Sequence, residues 1–562
     1  MPSRSDESGD AIAHDRALLA AARSQGSLAT LAAFARLSGP GWLQSAITLG
    51  GGSLAGSLYL GVLGGYEMLW LQPLMMILGV IMLSAIAYVT LSTGERPFRA
   101  INRHLSPVLG WGWLLAAMMA NLVWAMPQFS LGTAAIQQNL LPDVPLLAGR
   151  TGEWVCAGSL LLVGAVIVWF YDSGSRGVKI FERILKAMVG LVVVSFFGVV
   201  AAMTAKGQLD WGRIAVGFVP DASLLWRPSA GLRSFIDASG DPAYWNALVL
   251  GQQRQVMIAA AATAVGINMT FLLPYSMLRK GWDRTFRGLA AFDLSTGLFI
   301  PFVLATSCVV IAAASQFHGQ AATAAVALPA AEAKGQYRAN LERRLAAELG
   351  DQAVGKLSPA ELDARLDALP EADRRLAAML VTRDASDLAQ ALETLFGRGG
   401  LTQRVFGLGV LGMAVSTIII LMLINGFCMT EMLGAPPGGL PHRLGLLLPG
   451  ITGALGFLYL WNNTAAKFWL AVPTSNFGMA LLPIAYVTFF LMMNSRALLG
   501  DAMPTGGRRV AFNAAMLVAI AVASVGAGLS IWTNVRWWGV GLAAAFIALV
   551  AVSGLRGSRR PG

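Results

Sequence analysis

The sequence predicts an all-α, polytopic membrane protein of about twelve transmembrane helices, on three observations. Of its 562 residues, 56% are hydrophobic and 13% charged, where an ordinary soluble domain has about 25% charged residues. Apolar runs recur at about 20 residues, the length that spans a hydrocarbon core. The stretch Ser38 to Trp70 is apolar enough to enter a bilayer, yet its middle reads Leu49-Gly50-Gly51-Gly52-Ser53. Each glycine costs a helix about 1 kcal/mol relative to alanine, so three together predict a break. Irregular backbone at membrane depth persists where protein buries it or a cavity adjoins it. A broken first span is a usual binding centre of inverted-repeat secondary transporters.

Residues 1–37 hold no signal-peptide core; Arg16 to Arg36 is Ala/Leu-rich and punctuated by basic residues, which predicts a cytoplasmic tail with an amphipathic helix at the membrane surface. Spans near 39–64, 67–92, 111–139, 153–171 and 183–204 place helices 1–5 in residues 38–204. An extracytoplasmic loop, 205–256, carries Trp211, Pro220, Trp226, Pro228 and Trp245 and predicts a partly folded cap. Spans near 257–278 and 289–315 fill 257–317. Residues 318–402 form an extracytoplasmic insert of amphipathic helices, in which Ser358-Pro359-Ala360-Glu361 reads as an N-cap, a first-position proline and a glutamate at N3. Spans near 403–431, 443–461 and 467–494 fill 403–505. Spans near 509–531 and 537–555, with a cytoplasmic tail, complete 506–562.

The net charge of +11 follows the positive-inside pattern and requires no nucleic-acid partner. Arg96, Arg99 and Arg103, then Arg176, Lys179, Arg183 and Lys186, then Arg279, Lys280, Arg284 and Arg287 fall in alternate loops, as do Arg443, Arg496, Arg508 and Arg509. The tail ends with Arg556, Arg559 and Arg560, whereas the short opposite loops hold Arg150, Lys467 and Arg536. Both termini are therefore expected in the cytoplasm, with the chain in the cell (inner) membrane among lipids. Cys156, Cys308 and Cys428 sit in apolar runs without zinc or disulfide spacing and read as packing residues. His14, His104, His318 and His442 are scattered over predicted loops and tails. With no Walker-type or His-Glu-x-x-His motif, neither an enzyme nor a cofactor is expected.

Several pieces recur in a familiar order: Gly39-Pro40-Gly41 opening the first span; Gly64-Gly65-Tyr66-Glu67-Met68-Leu69-Trp70 before the second; Thr93-Gly94-Glu95-Arg96 after it; Asp210-Trp211; and Asn494-Ser495-Arg496-Ala497-Leu498-Leu499-Gly500-Asp501. Over most of 38–505, outside the insert, the chain resembles the natural resistance-associated macrophage protein (NRAMP) family of divalent-metal transporters. The resemblance implies a leucine-transporter-like fold: inverted repeats of five helices, spans 1–5 and 6–10, plus two more, with spans 1 and 6 broken at the midplane. Gly266-Ile267-Asn268-Met269-Thr270, in mid-run of the sixth span, agrees with it.

The departures bear on function. Where the family has Asp-Pro-Gly-Asn, this chain has Gly50-Gly51-Gly52-Ser53; Met-Pro-His becomes Ile267-Asn268-Met269, or one residue later; the third-span acids fall near Asn121 and Trp124. Metal carboxylate, sulfur ligand and proton acceptors are thus expected to be missing at matching positions, and no metal-ligand set is assignable. Proton-coupled Mn²⁺ or Fe²⁺ transport is not expected. The candidate substrate-binding residues are Thr48, Gly50, Gly51, Gly52 and Ser53 in the first break, Gly266, Asn268 and Thr270 in the sixth span, with Asn121 and Asn476. Gln44, Ser45, Gln128 and Ser475 are further polar candidates. Neutral oxygens can hold a hard divalent cation that keeps its water, such as Mg²⁺. The alternative follows from the same glycines: exposed amides at half-helix N-termini suit a zwitterionic or anionic organic solute such as an amino acid. A third reading is a sensor or scaffold that no longer transports.

Overall fold

The computed structural model describes residues 4–172, 175–320, 331–383, 387–388, 391, 401–436, 438–460 and 471–557. Among the described residues, eleven helices are long and apolar enough to cross a membrane, and a bent pair, Pro40–Thr48 and Gly51–Met68, meeting at 55°, makes twelve when taken as one span. Spans 2–5 are Leu71–Thr93, Pro107–Leu140, Gly149–Tyr171 and Gly177–Ala205; spans 6 and 7 are Pro242–Arg279 and Arg284–Phe317. Spans 8–12 are Gln403–Met432, Leu440–Leu460, Ala471–Met493, Gly506–Asn534 and Arg536–Ser553. Counted that way, the number agrees with the expected twelve. Residue 461 of the predicted ninth span, Lys467 with the start of the tenth, Arg559, Arg560, and 321–330 and most of 384–400 of the insert lie outside the described residues.

Local chemistry sets the ends. Gly94, at φ 69°, closes span 2 in the left-handed conformation that glycine adopts without strain. Span 3 opens on Pro107, with the Ser106 hydroxyl accepting from the Val108 amide (3.2 Å). Span 6 opens the same way: Asp241 accepts from the Tyr244 amide (3.0 Å) and Pro242 takes the first turn. That start corrects the predicted boundary near 257. The polar run Gly251-Gln252-Gln253-Arg254-Gln255 reads as loop, but its side chains clasp the cap from within a helix. Buried Gln253 donates to the carbonyls of Leu224 and Arg227 and accepts from the Ser229 amide, while Arg254 Nε donates to the Leu225 carbonyl (2.6 Å). Only 205–241 is left as the cap, folded into Trp211–Gly217, Ala222–Leu225 and Ala230–Asp237.

Span 6 is innermost, with 94% of its most apolar window buried, whereas span 12 has 6% and faces outward. Trp537 and Trp538 there are exposed, as befits aromatic residues at a lipid boundary. At the arginine-rich end, ion pairs join Arg16 to Asp283 (2.7 Å), Lys280 to Glu182 (2.9 Å) and Arg96 to Glu431 (2.8 Å). The N-terminal helices Arg4–Gln25 and Ser27–Leu37 dock at that end and bury Leu19 and Ala33, so the expected amphipathic helix packs on protein. Cys156, Cys308 and Cys428 are buried free thiols. At the other end the insert contributes Ala331–Leu349, Pro359–Asp367 and Glu371–Met379. Its capping box forms as expected, Glu361 accepting from the Ser358 amide (2.9 Å). Asp373 anchors it: this buried carboxylate accepts from Arg344 Nε (2.9 Å), Trp245 Nε1 (2.8 Å) and the Gly240 amide (2.6 Å).

Candidate functional site

Both expected breaks occur. In span 1, Leu49 (φ −81°, ψ 70°) and Gly50 (φ −128°, ψ −174°) leave the helix. In span 6, Val265 (φ −140°, ψ 108°) and Gly266 (φ −83°, ψ 161°) separate Pro242–Ala264 from Ile267–Arg279. Backbone freed from a helix at this depth needs new partners, and side chains supply them. Ser416 Oγ donates to the Ala46 carbonyl (2.9 Å), and Gln128 Oε1 accepts from the Gly51 amide (2.8 Å). Ser53 Oγ accepts from the Gly50 amide (3.1 Å), and Gln44 Nε2 donates to the Met269 carbonyl (3.3 Å).

Between the breaks lies a cavity of about 40 Å³. A water needs about 10–15 Å³ of such space, so the cavity admits about three water-sized groups. Its wall takes Thr48, Gly50, Gly52 and Ser53 from span 1, Thr263, Gly266, Asn268 and Met269 from span 6, Trp124 and Gln128 from span 3, Thr417 from span 8, and Thr474 and Ser475 from span 10. Among the described residues, none that lines the cavity is charged. Asn268 Nδ2 donates to Asn121 Oδ1 (3.0 Å), and Asn121 Nδ2 donates to Asn425 Oδ1 (3.0 Å), giving a buried chain of three amides. Asn268 Oδ1 remains buried without a hydrogen-bond partner. Such an acceptor costs about 1–3 kcal/mol until something donates to it or is coordinated by it.

Six of the ten candidate residues line the cavity: Thr48, Gly50, Gly52, Ser53, Gly266 and Asn268. The other four do not. Gly51 is turned toward Gln128 and Leu131. Thr270 is engaged away from the wall, accepting from Trp113 Nε1 (2.9 Å) and donating to the Ile267 carbonyl (2.5 Å). Asn121 stands behind Asn268, and the Asn476 carbonyl accepts from Ser530 of span 11 (2.7 Å). Gln128 and Ser475 line the cavity, whereas Gln44 and Ser45 do not.

A sulfur does reach the break, from Met269. Met269 lies three residues after Gly266, on the first turn of the second half-helix, so its side chain points back at the break. Its Sδ accepts from Thr48 Oγ1 (3.1 Å) and from the Gly266 amide (3.3 Å). Trp124, Thr263, Thr417 and Thr474 were not legible as wall residues, because only the tertiary fold turns them inward. His442, expected in a loop, is buried in span 9 beside Thr430 Oγ1 (3.1 Å). Among the described residues, no group of three or more His, Cys, Asp or Glu could hold a metal ion.

Comparison with known proteins places this geometry. A family model described as natural resistance-associated macrophage protein-like matches residues 41–336. The metal transporter Nramp6.2 of Populus trichocarpa is 28% identical over 160 residues, which is 28% of this chain and 27% of that protein. The divalent metal cation transporter MntH of Agrobacterium fabrum is 28% identical over 193 residues, 34% of this chain and 38% of that protein. The chain thus matches less than two fifths of the length of these curated relatives. A manganese transporter of Eremococcus coleocola, in a singly substituted form, superposes with a TM-score of 0.61 at 15% identity, covering 94% of this chain and 95% of that one. At that identity the likeness is one of fold.

Proposed function

The chain belongs to the natural resistance-associated macrophage protein (Nramp) family, and on that premise we propose that it is a secondary transporter of a small divalent cation. The cation passes the central cavity partly hydrated, held by neutral oxygens. The observation that carries this reading is the unpartnered Asn268 Oδ1 at the meeting point of the two broken spans. Thr48, Ser53, Thr417, Ser475 and Gln128, which carry hydroxyls and an amide, line the same cavity. Oxygen-rich sites suit ions such as Mg²⁺ or Mn²⁺. The Met269 thioether adds a weak soft ligand, although its lone pairs already take two hydrogen bonds.

An amino acid, with its carboxylate and ammonium groups, exceeds about three water-sized positions, so the volume favours the ion over the organic solute. Since no described lining residue titrates, the cavity has no group to exchange a proton for the cation, and the driving force is the cation's own gradient or potential. The arginine-rich end is cytoplasmic, placing both termini inside. A binding panel tests the reading. Mg²⁺ and Mn²⁺ raise the melting temperature of the purified protein in a saturable way while glycine and leucine do not; stabilisation by an amino acid alone overturns it.

A further inference from the structure

The largest side chain on the cavity wall is an indole. Trp124 of span 3 donates from Nε1 to the Thr474 carbonyl of span 10 (2.8 Å), which fixes the direction of the ring. Its benzo edge then runs between two glycines on different spans. A methyl group built on Gly266 would overlap Cη2 and Cζ3 of the indole, and one built on Gly478 of span 10 would overlap Cζ2. Gly266 therefore serves two ends: it ends a half-helix, and it makes one side of a slot. Trp124 and Gln128 are four residues apart, so they share one face of span 3. One closes the space, and the other holds the Gly51 amide. Trp113 and Trp245 are fully buried, whereas Trp124, on the cavity wall, is only partly buried.

We infer that Trp124 is the size filter of the site: clasped between Gly266 and Gly478, its indole confines the cavity to an ion with a few waters and excludes organic cations and amino acids. This rests on the transport reading above and names what sets its substrate class. An indole is a large volume to remove, and the half-helices around it are held by side chains of other spans. Its loss therefore leaves space that the walls cannot close. A slot built from two glycines also predicts reciprocity. A methyl group added to Gly478, where the indole is the nearest obstacle, is tolerated only when the ring is cut back, whereas one on Gly266 also meets Asn268 Oδ1.

The test uses the full-length protein and its Trp124→Phe and Trp124→Ala variants, with Mg²⁺, Mn²⁺, tetramethylammonium and glycine as probes. Wild type is stabilised by the metals alone. Trp124→Ala gains saturable stabilisation by tetramethylammonium, at least tenfold above wild type, and Trp124→Phe falls between. In parallel, Gly478→Ala lowers the melting temperature in the wild-type background and much less in Trp124→Ala. An unchanged probe profile in both tryptophan variants overturns the inference, as does a Gly478→Ala penalty that is the same in both backgrounds. If no form responds to a metal, the transport reading fails, and the glycine comparison still decides whether the clasp exists.

Discussion

The hydroxyl of Thr417 occupies the place where a side chain on Gly50 would begin, and it faces the Ala46 carbonyl at 3.4 Å. The resemblance implies that Gly50 takes the place of the Nramp aspartate, and a hydroxyl of span 8 fills the volume that the stem of a side chain there would need. Gly50→Asp alone therefore overpacks the break, at a cost of about 1–3 kcal/mol. The expected outcome is a lower melting temperature and no new Mn²⁺ binding, with stability recovered in Gly50→Asp/Thr417→Gly. A single variant as stable as wild type would mean that the break yields.

Asn268→Leu removes the open acceptor and leaves Asn121 Oδ1 without its donor. Losing a buried partner is worth about 1–3 kcal/mol, roughly ten- to a hundredfold in affinity for the cation. Titration of Mg²⁺ against melting temperature checks it. Affinity unchanged in this variant removes Asn268 from the site.

The breaks and nearly all of the spans were legible in the sequence because both rest on local chemistry: glycine cost and uninterrupted apolar runs. The cavity wall was legible only in part. Helical phase turns Met269 toward the first break and Thr270 away from it, and the register of 267–270 had to be fixed before that phase could be read. Thr417 reaches Gly50 from a position far along the chain, which nothing near either residue signals. Gly266 reads as a helix breaker; that it also makes room for Trp124 depends on span 3. Polar residues misled where the fold supplies their partners, as Gln253 and Arg254 show at the start of span 6.

In the insert, Asp373→Ala removes the buried carboxylate partner of buried Arg344 and leaves it the exposed Glu348. Breaking a buried pair from one side costs about 3–5 kcal/mol. Protease cleavage within 331–383 should become at least tenfold faster while the spans stay intact. Cleavage at the wild-type rate would show that the insert is held by other contacts.

Docking of the N-terminal helices should depend on pH through Asp283. Burial alone pushes its carboxyl up, but hydrogen bonds from Thr285 and the Arg16 guanidinium outweigh that and hold it below the usual carboxylate range. A depressed value favours the docked state above the ordinary range, and that contribution is lost as pH falls through the lowered value. Asp283→Asn at neutral pH should mimic the acid state. Both are checked by the rate of proteolysis at Arg16 and Arg23, and equal rates for variant and wild type at neutral pH would exclude the role.

Cation flux and proton flux measured together in proteoliposomes, with an internal metal indicator and a pH dye, test most directly whether the cavity works without a titratable group. Uptake of Mg²⁺ or Mn²⁺ that follows its own gradient or an imposed potential, with no accompanying acidification and a rate flat between about pH 6 and 8, is the expected result. Mn²⁺ uptake with stoichiometric acidification would contradict it and place a proton-exchanging carboxylate on the transport path.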